Sequence, residues 1–173
     1  RHGAAGGRCS GADAGGADWG IGGEGTQGCV GYSVARAGDV NGDGYDDVIV
    51  GAYYDGSGTG EAYVWHGSAT GLTDGDDAGD ADWSIVGEGT DDYFGWSVAS
   101  AGDVNGDGYD DVIVGAYQDA SATGKTYIYS YGLTAALSAE HGWSISGEGT
   151  NDLCGGSVAS AGDGNGDGYD DVI

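Results

Sequence analysis

Three copies of one acidic loop carry the oxygen atoms with which this chain could hold metal ions. The stretch DVNGDGYDDVIVGAY at 39–53 recurs letter for letter at 103–117, and DGNGDGYDDVI occupies 163–173. Each copy reads D-x-N-x-D-G-x-x-D. Positions 1, 3, 5 and 9 are Asp39, Asn41, Asp43 and Asp47, then Asp103, Asn105, Asp107 and Asp111, then Asp163, Asn165, Asp167 and Asp171. Alternate residues of a tightly curved loop can aim their oxygens at one centre, and glycine at position 6 allows the sharp turn. The backbone carbonyl at position 7, of Tyr45, Tyr109 or Tyr169, is the natural fifth protein ligand.

Three carboxylates within nine residues would repel one another without a cation between them. Hard oxygen donors with no Cys or His among them select calcium over zinc or copper, and magnesium prefers to keep its water. The pattern therefore predicts three Ca2+ sites. An EF-hand begins the same way but needs a bidentate Glu at position 12 and flanking helices. Position 12 here is Val50 or Val114, inside an apolar run, so that reading fails. The bland alternative, a metal-free Asp/Asn/Gly turn, has to explain why all three copies keep every ligand position. Asp46, Asp110 and Asp170 at position 8 point away from the ion and are expected to be solvated. Extracellular calcium modules bind at roughly 10⁻⁴–10⁻³ M. At ten to a hundred times its dissociation constant each ion would add about 1.4–2.7 kcal/mol of stability, a structural role.

The elements that must position these loops follow from the repeat. Asp39, Asp103 and Asp163 are separated by 64 and then 60 residues, and ADWGIGGEGT, ADWSIVGEGT and HGWSISGEGT recur at 17–26, 81–90 and 141–150. Each repeat offers four short strand candidates divided by Gly, Asp, Ser and Thr: GYSVASAG-like, DDVIVGAY, EAYVWHG-like and DWSIVGEG-like. The VIV run is apolar on both faces, as in a strand covered on each side. No segment keeps apolar spacing of 3.6, so essentially no helix is expected. Four strands recurring at about 60 residues fit a propeller blade or a related stacked β array.

At this point a family likeness becomes specific. Phe94-Gly95, the acidic loop, then Gly115-Ala116-Tyr117 resembles the FG-GAP repeat of integrin α-subunit β-propellers and many bacterial surface proteins, over essentially residues 17–173. Tyr53 and Tyr117 stand where that repeat has proline, and FG becomes VG and CG in the outer copies. The resemblance implies an all-β fold of four-stranded antiparallel blades, calcium in the loop with ligands at positions 1, 3, 5, 7 and 9, and an extracellular or cell-surface adhesion scaffold. The blades would run 28–88 and 92–148, with a partial blade at 151–173 and the outer strand of a preceding blade within 1–27.

A closed propeller needs at least four blades, which 173 residues cannot supply. Unpaired edges invite association. Two explanations are open: the remainder of a longer propeller completes the array, or copies join head to tail as a homo-oligomer, giving a ring or a filament. The chain begins at Arg1 and contains no Met, so a processed chain or a fragment is expected.

Composition bounds the partners. With 29 acidic and 4 basic residues the formal charge is −25, which disfavours nucleic acid and anionic membranes. No apolar run approaches the roughly 18 residues that span a bilayer, so no membrane insertion is expected. A protein or glycan ligand stays open. Trp19, Trp83 and Trp143 recur, either as sugar-stacking platforms of a multivalent lectin or as anchors packing one blade on the next. An accessory role within a larger secreted protein is a further option. Ser33, Ser97 and Ser157 recur in SVA without an accompanying His, so they are read as architectural and the chain as no enzyme. DGSGT at 55–59 and DASAT at 119–123 resemble the start of an adhesion metal motif, but hairpin turns explain both. Of Cys9, Cys29 and Cys154, the first two could pair, and Cys154 is expected to pack as a small apolar side chain. No N-x-[ST] sequence exists for N-glycosylation; O-linked sugars stay open.

Overall fold

A computed structural model of the chain describes residues 19–22, 28–72, 78–132, 136–137 and 142–173. The first repeat forms β1 (Ser33–Gly38), β2 (Asp47–Ala52), β3 (Glu61–Trp65) and β4 (Trp83–Val86). They pair antiparallel in the order β1-β2-β3-β4, with Val34 opposite Val50, Ile49 opposite Val64 and Ala62 opposite Ile85. The second repeat forms β5 (Phe94–Gly102), β6 (Asp111–Ala116) and β7 (Lys125–Tyr129). A two-residue-per-arm ladder, β8 (Tyr131–Gly132) with β9 (Ala136–Leu137), precedes β10 (Trp143–Ser146), which returns to β7. The third acidic loop joins β11 (Ser160–Gly162) to β12 (Asp171–Val172) in a two-stranded sheet. The protein is all-β, in the four-strand-per-repeat pattern that the sequence predicts, and neither four-stranded sheet closes on itself.

The expectation of essentially no helix needs a small correction. Four-residue helical turns at Asp55–Gly58 and Asp119–Ala122 make the tight connections from β2 to β3 and from β6 to β7, and a 3-10 turn spans Ala78–Asp80. Gly60 N–H and Gly124 N–H close the two connections on the carbonyls of Asp55 and Asp119 at 2.9 and 3.0 Å. Positive φ at Ser57 (64°) and Ala122 (67°) stops either turn from propagating as a helix. DGSGT and DASAT are thus hairpin connections.

Burial explains the doubly apolar VIV run. On β2, Ile49 faces Val112 and Val114 of the second sheet, while Val50 faces the opposite way with Tyr63, Trp65, Trp19 and Ile21. On β6, Ile113 turns toward Ile128, Val158 and Val172. Each central strand is therefore sandwiched between two apolar layers, which is why consecutive residues are all apolar. Of the predicted preceding strand within 1–27, residues 1–18 and 23–27 lie outside the described residues. Trp19 and Ile21 do pack against the first sheet.

The sheets meet at glycine. A Cβ on Gly51 would lie 2.9 Å from the carbonyl carbon and 3.2 Å from the Cα of Gly95, and closer still to the Gly95 oxygen. Gly115 meets Gly155 in the same way. Gly95 and Gly155 both have φ of 81°, a conformation natural to glycine. Beside these contacts Ser33 Oγ accepts the Val98 N–H at 3.1 Å, and Ser97 Oγ donates to the Gly155 carbonyl at 2.8 Å. These serines tie one sheet to the next, in keeping with their architectural reading.

Candidate metal site

Each acidic loop connects the first two strands of its sheet, so both strand ends hold its termini. Within the first loop, Asp39 Oδ1 accepts the Asp43 N–H at 3.0 Å and Asp39 Oδ2 the Gly44 N–H at 2.9 Å. Asn41 Oδ1 accepts the Asp43 N–H at 2.9 Å, and Asp43 Oδ1 accepts the Tyr45 N–H at 3.0 Å. The second loop repeats this with Asp103, Asn105 and Asp107 accepting from Asp107, Gly108 and Tyr109. The third does so with Asp163, Asn165 and Asp167. Positive φ at the glycines of positions 4 and 6, 75° at Gly42 and 89° at Gly44, lets the chain curl around its own first side chain.

Position 9 differs from the rest. Asp47 and Asp111 are fully buried at the start of their strands, whereas positions 3, 5 and 7 are largely exposed. Asp47 is satisfied on both oxygens, by the Val40 N–H at 2.8 Å and the Gly67 N–H at 2.7 Å. Burial still raises its carboxyl above the ordinary range, while those two bonds pull it down. Among the described residues Asp111 Oδ2 accepts the Val104 N–H at 3.1 Å, and its buried Oδ1 has no hydrogen-bond partner in good geometry, with the Ser130 hydroxyl nearby. Burial pushes this carboxyl up to about 7; Val104 and the nearby Ser130 moderate the shift, and the charges of Asp107 and Asp103 add to it. Asp171, in the two-stranded sheet, is only half-buried and accepts the Gly164 N–H at 3.0 Å.

The donor chemistry fits a hard divalent cation: every candidate side chain offers oxygen, and a buried carboxylate oxygen is left without a partner beside two further aspartates. Among the described residues, however, no three His, Cys, Asp or Glu side chains are gathered as a formed cluster. Positions 1, 3 and 5 turn their oxygens to the loop's own N–H groups.

The expectation for position 8 is overturned in two loops of three. Asp46 is exposed and pairs with Arg36. Asp110 and Asp170 are half-buried and bond to the preceding loop: Asp110 Oδ2 accepts the Asp39 N–H at 2.8 Å, and Asp170 Oδ2 accepts the Asp103 N–H at 3.0 Å. Strand alternation does turn position 8 away from its own loop, but the neighbouring repeat, not solvent, receives it.

Two of the three recurrent tryptophans pack between elements. Trp83 is buried against Tyr129, ring centroids 5.4 Å apart, and Trp19 meets Trp65 edge-on at 5.5 Å. Trp143 is 47% exposed and, with Ile128 and Val172, lines a cavity of about 440 Å³. Sequence reasoning missed a different aromatic group. Tyr32, Tyr53, Tyr93, Trp96 and Tyr117 form a continuous plate, with Tyr32–Trp96 and Trp96–Tyr117 centroids both 4.5 Å apart. Its signal was the aromatic residue recurring just before or within the first strand and just after the second. The plate lies at the strand ends opposite the acidic loops. Among the cysteines, Cys29 is exposed and free, Cys154 is half-buried with Sγ 3.7 Å from Thr126 Oγ1, and Cys9 lies outside the described residues.

Comparison with known proteins agrees with this architecture. The FG-GAP repeat family matches residues 30–65 and 94–130, which hold the first two acidic loops and the first three strands of both four-stranded sheets. The chain is 45% identical over 96 residues to integrin alpha pat-2 of Caenorhabditis briggsae, covering 55% of this chain and 8% of the relative. It is 35% identical over 117 residues to integrin alpha-PS2 of Drosophila melanogaster, covering 66% of this chain and 8% of that protein. Human integrin alpha-6 is 38% identical over 90 residues, 52% of this chain and 7% of the relative. The chain thus spans less than a tenth of the length of these relatives.

Proposed function

We propose, on the premise that this chain is an FG-GAP repeat protein, that it is a calcium-stabilised scaffold of blade-like sheets serving adhesion outside the cell. It acts through binding and carries no catalysis. The observation that supports this reading best is the fully buried Asp111 with its unpartnered Oδ1, in a loop whose every candidate donor is oxygen. The ions would be held by Asp39, Asn41, Asp43, Tyr45 and Asp47, by Asp103, Asn105, Asp107, Tyr109 and Asp111, and by Asp163, Asn165, Asp167, Tyr169 and Asp171. Bound calcium supplies positive charge that offsets the crowded carboxylates. The chain's own residues do the positioning: glycines curl the loop, the strand ends fix positions 1 and 9, and burial withholds water from Asp111. A protein partner is supported by the aromatic plate, where exposed Tyr32 leads into half-buried Tyr53, Tyr93, Trp96 and Tyr117, because tyrosine and tryptophan are enriched at the centres of interaction sites. Burial of Trp83 against Tyr129 favours the anchor reading over the sugar-stacking one at that position. Calorimetric titration with CaCl2 tests the proposal: near-stoichiometric uptake per loop supports it, and no heat up to 10 mM would sink it.

The faces of the first and third acidic loops suit either the remainder of a longer propeller or a second copy joined head to tail, and the self-association arm can be tested. Gly162 and Gly166 have nothing within 4 Å, whereas the equivalent Gly38 and Gly42 are covered by Asp110 and Tyr109 of the next loop. Tyr45 and Asp46, the matching pair of the first loop, are exposed. Native mass in millimolar calcium, compared with a Tyr45→Ala/Asp46→Ala variant, tests it. A monomer at every concentration would reject it.

A further inference from the structure

We infer that the position-8 aspartates Asp110 and Asp170 are positioning residues for the metal loop of the preceding repeat, so that neighbouring loops bind calcium cooperatively. Asp110 reaches back across 71 residues to the first ligand of loop 39–47 and grips it twice. Its Oδ2 accepts the Asp39 N–H at 2.8 Å, and its own N–H donates to the Asp39 carbonyl at 3.1 Å. Asp170 repeats the clasp on Asp103, accepting its N–H at 3.0 Å and donating to its carbonyl at 3.1 Å. Two copies with the same atoms, and with distances of 2.8 and 3.0 Å for one bond and 3.1 Å in both for the other, make a built feature.

Space has been cleared for the clasp. Any Cβ on Gly38 would collide with the Asp110 carboxylate, and any on Gly102 with that of Asp170. The rings of Tyr109 and Tyr169 likewise close over Gly42 and Gly106 of the preceding loops. One segment therefore serves two sites. Tyr109 and Asp111 belong to loop 103–111, and Asp110 between them, turned the opposite way by strand alternation, holds Asp39.

The inference rests on the calcium reading, to which the buried and unpartnered Oδ1 of Asp111 points independently of the clasp. A cation that fixes Tyr109 to Asp111 also fixes the grip on Asp39, so part of the ordering cost at loop 39–47 is already met. Linkage makes the effect reciprocal: calcium at the first loop must favour calcium at the second by the same factor.

The test is an amide NMR titration of the whole chain with CaCl2, following Gly44, Gly108 and Gly168, the position-6 glycines of the three loops. In Asp110→Ala the Gly44 midpoint is expected to move to about tenfold higher calcium, the loss of one charge-assisted hydrogen bond, while Gly168 stays in place. Asp110→Asn keeps an acceptor oxygen and should restore Gly44 to within about twofold of the parent. A general loss of fold would move all three glycines, which distinguishes a merely structural role. Should Asp110→Ala fail to fold, Asp170→Ala with Gly108 as reporter asks the same question where the third sheet has only two strands. An unmoved Gly44 or Gly108 midpoint in the corresponding variant overturns the inference. No response of any glycine in the parent up to 10 mM calcium would instead reject the calcium reading beneath it.

Discussion

Replacing Gly51 by alanine isolates the contact that stacks one sheet on the next. Gly51 has no positive φ, so alanine brings no backbone strain, and the whole effect comes from space. Its new Cβ would sit 2.9 Å from the Gly95 carbonyl carbon, closer still to the oxygen, where about 3.4 Å marks the near edge of ordinary contact. The obstacle is backbone in a neighbouring strand and cannot swing aside as a side-chain end would. The sheets must separate by several tenths of an ångström, loosening the layer of Ile49, Val112 and Val114. Overpacking in a core costs about 1–3 kcal/mol, and a backbone obstacle places this case near the upper figure. For a chain of this size that is a fall of about 6–12 °C in Tm. Thermal unfolding followed by circular dichroism in millimolar calcium reads it. Exposed Gly20→Ala, with nothing within 4 Å among the described residues, is the control and should melt within about 2 °C of the parent. Gly51→Ala melting as high as that control would refute the stacked-glycine account.

Three other outcomes follow from the same geometry. Ser97→Ala loses the 2.8 Å bond to the Gly155 carbonyl and should cost about 1 kcal/mol in denaturant unfolding, whereas exposed Ser157→Ala should stay within about 0.5 kcal/mol. Asp111→Asn removes a buried, unpaired charge, so in metal-stripped buffer at pH 7.5 it should unfold within about 1 kcal/mol of the parent yet gain far less on adding calcium. Burial raises the Asp92 carboxyl, with Asp119 adding to the shift. The folded state then holds that proton more tightly than the unfolded state, so the Asp92 contribution is present at acid pH and lost as pH rises through its folded value. Asp92→Asn should lose less stability than the parent across the carboxylate range, and parallel pH profiles would contradict the assignment.

Periodic features were legible in the sequence and pairwise ones were not. The four strands of each repeat could be read because turn residues punctuate them at fixed places, and VIV announced a strand covered on both faces. The candidate ligands were legible because their side chains alternate within nine residues. Asp110 was misread as solvated because its partner, Asp39, lies 71 residues away, and no local pattern reveals which loop a side chain meets. The aromatic plate escaped for the same reason: Tyr32, Tyr53, Trp96 and Tyr117 are scattered along the chain and converge only when two sheets stack. The turns at Asp55 and Asp119 are too short for helical periodicity to register.

The central claim is that the acidic loops hold calcium and that calcium stabilises the stacked sheets. Thermal unfolding of the unmodified chain in 1 mM CaCl2 and after metal stripping tests it most directly. With dissociation constants near 10⁻⁴ M, three sites would together add about 4 kcal/mol, raising the Tm by roughly 8–16 °C. A Tm that is the same with and without calcium would contradict the account.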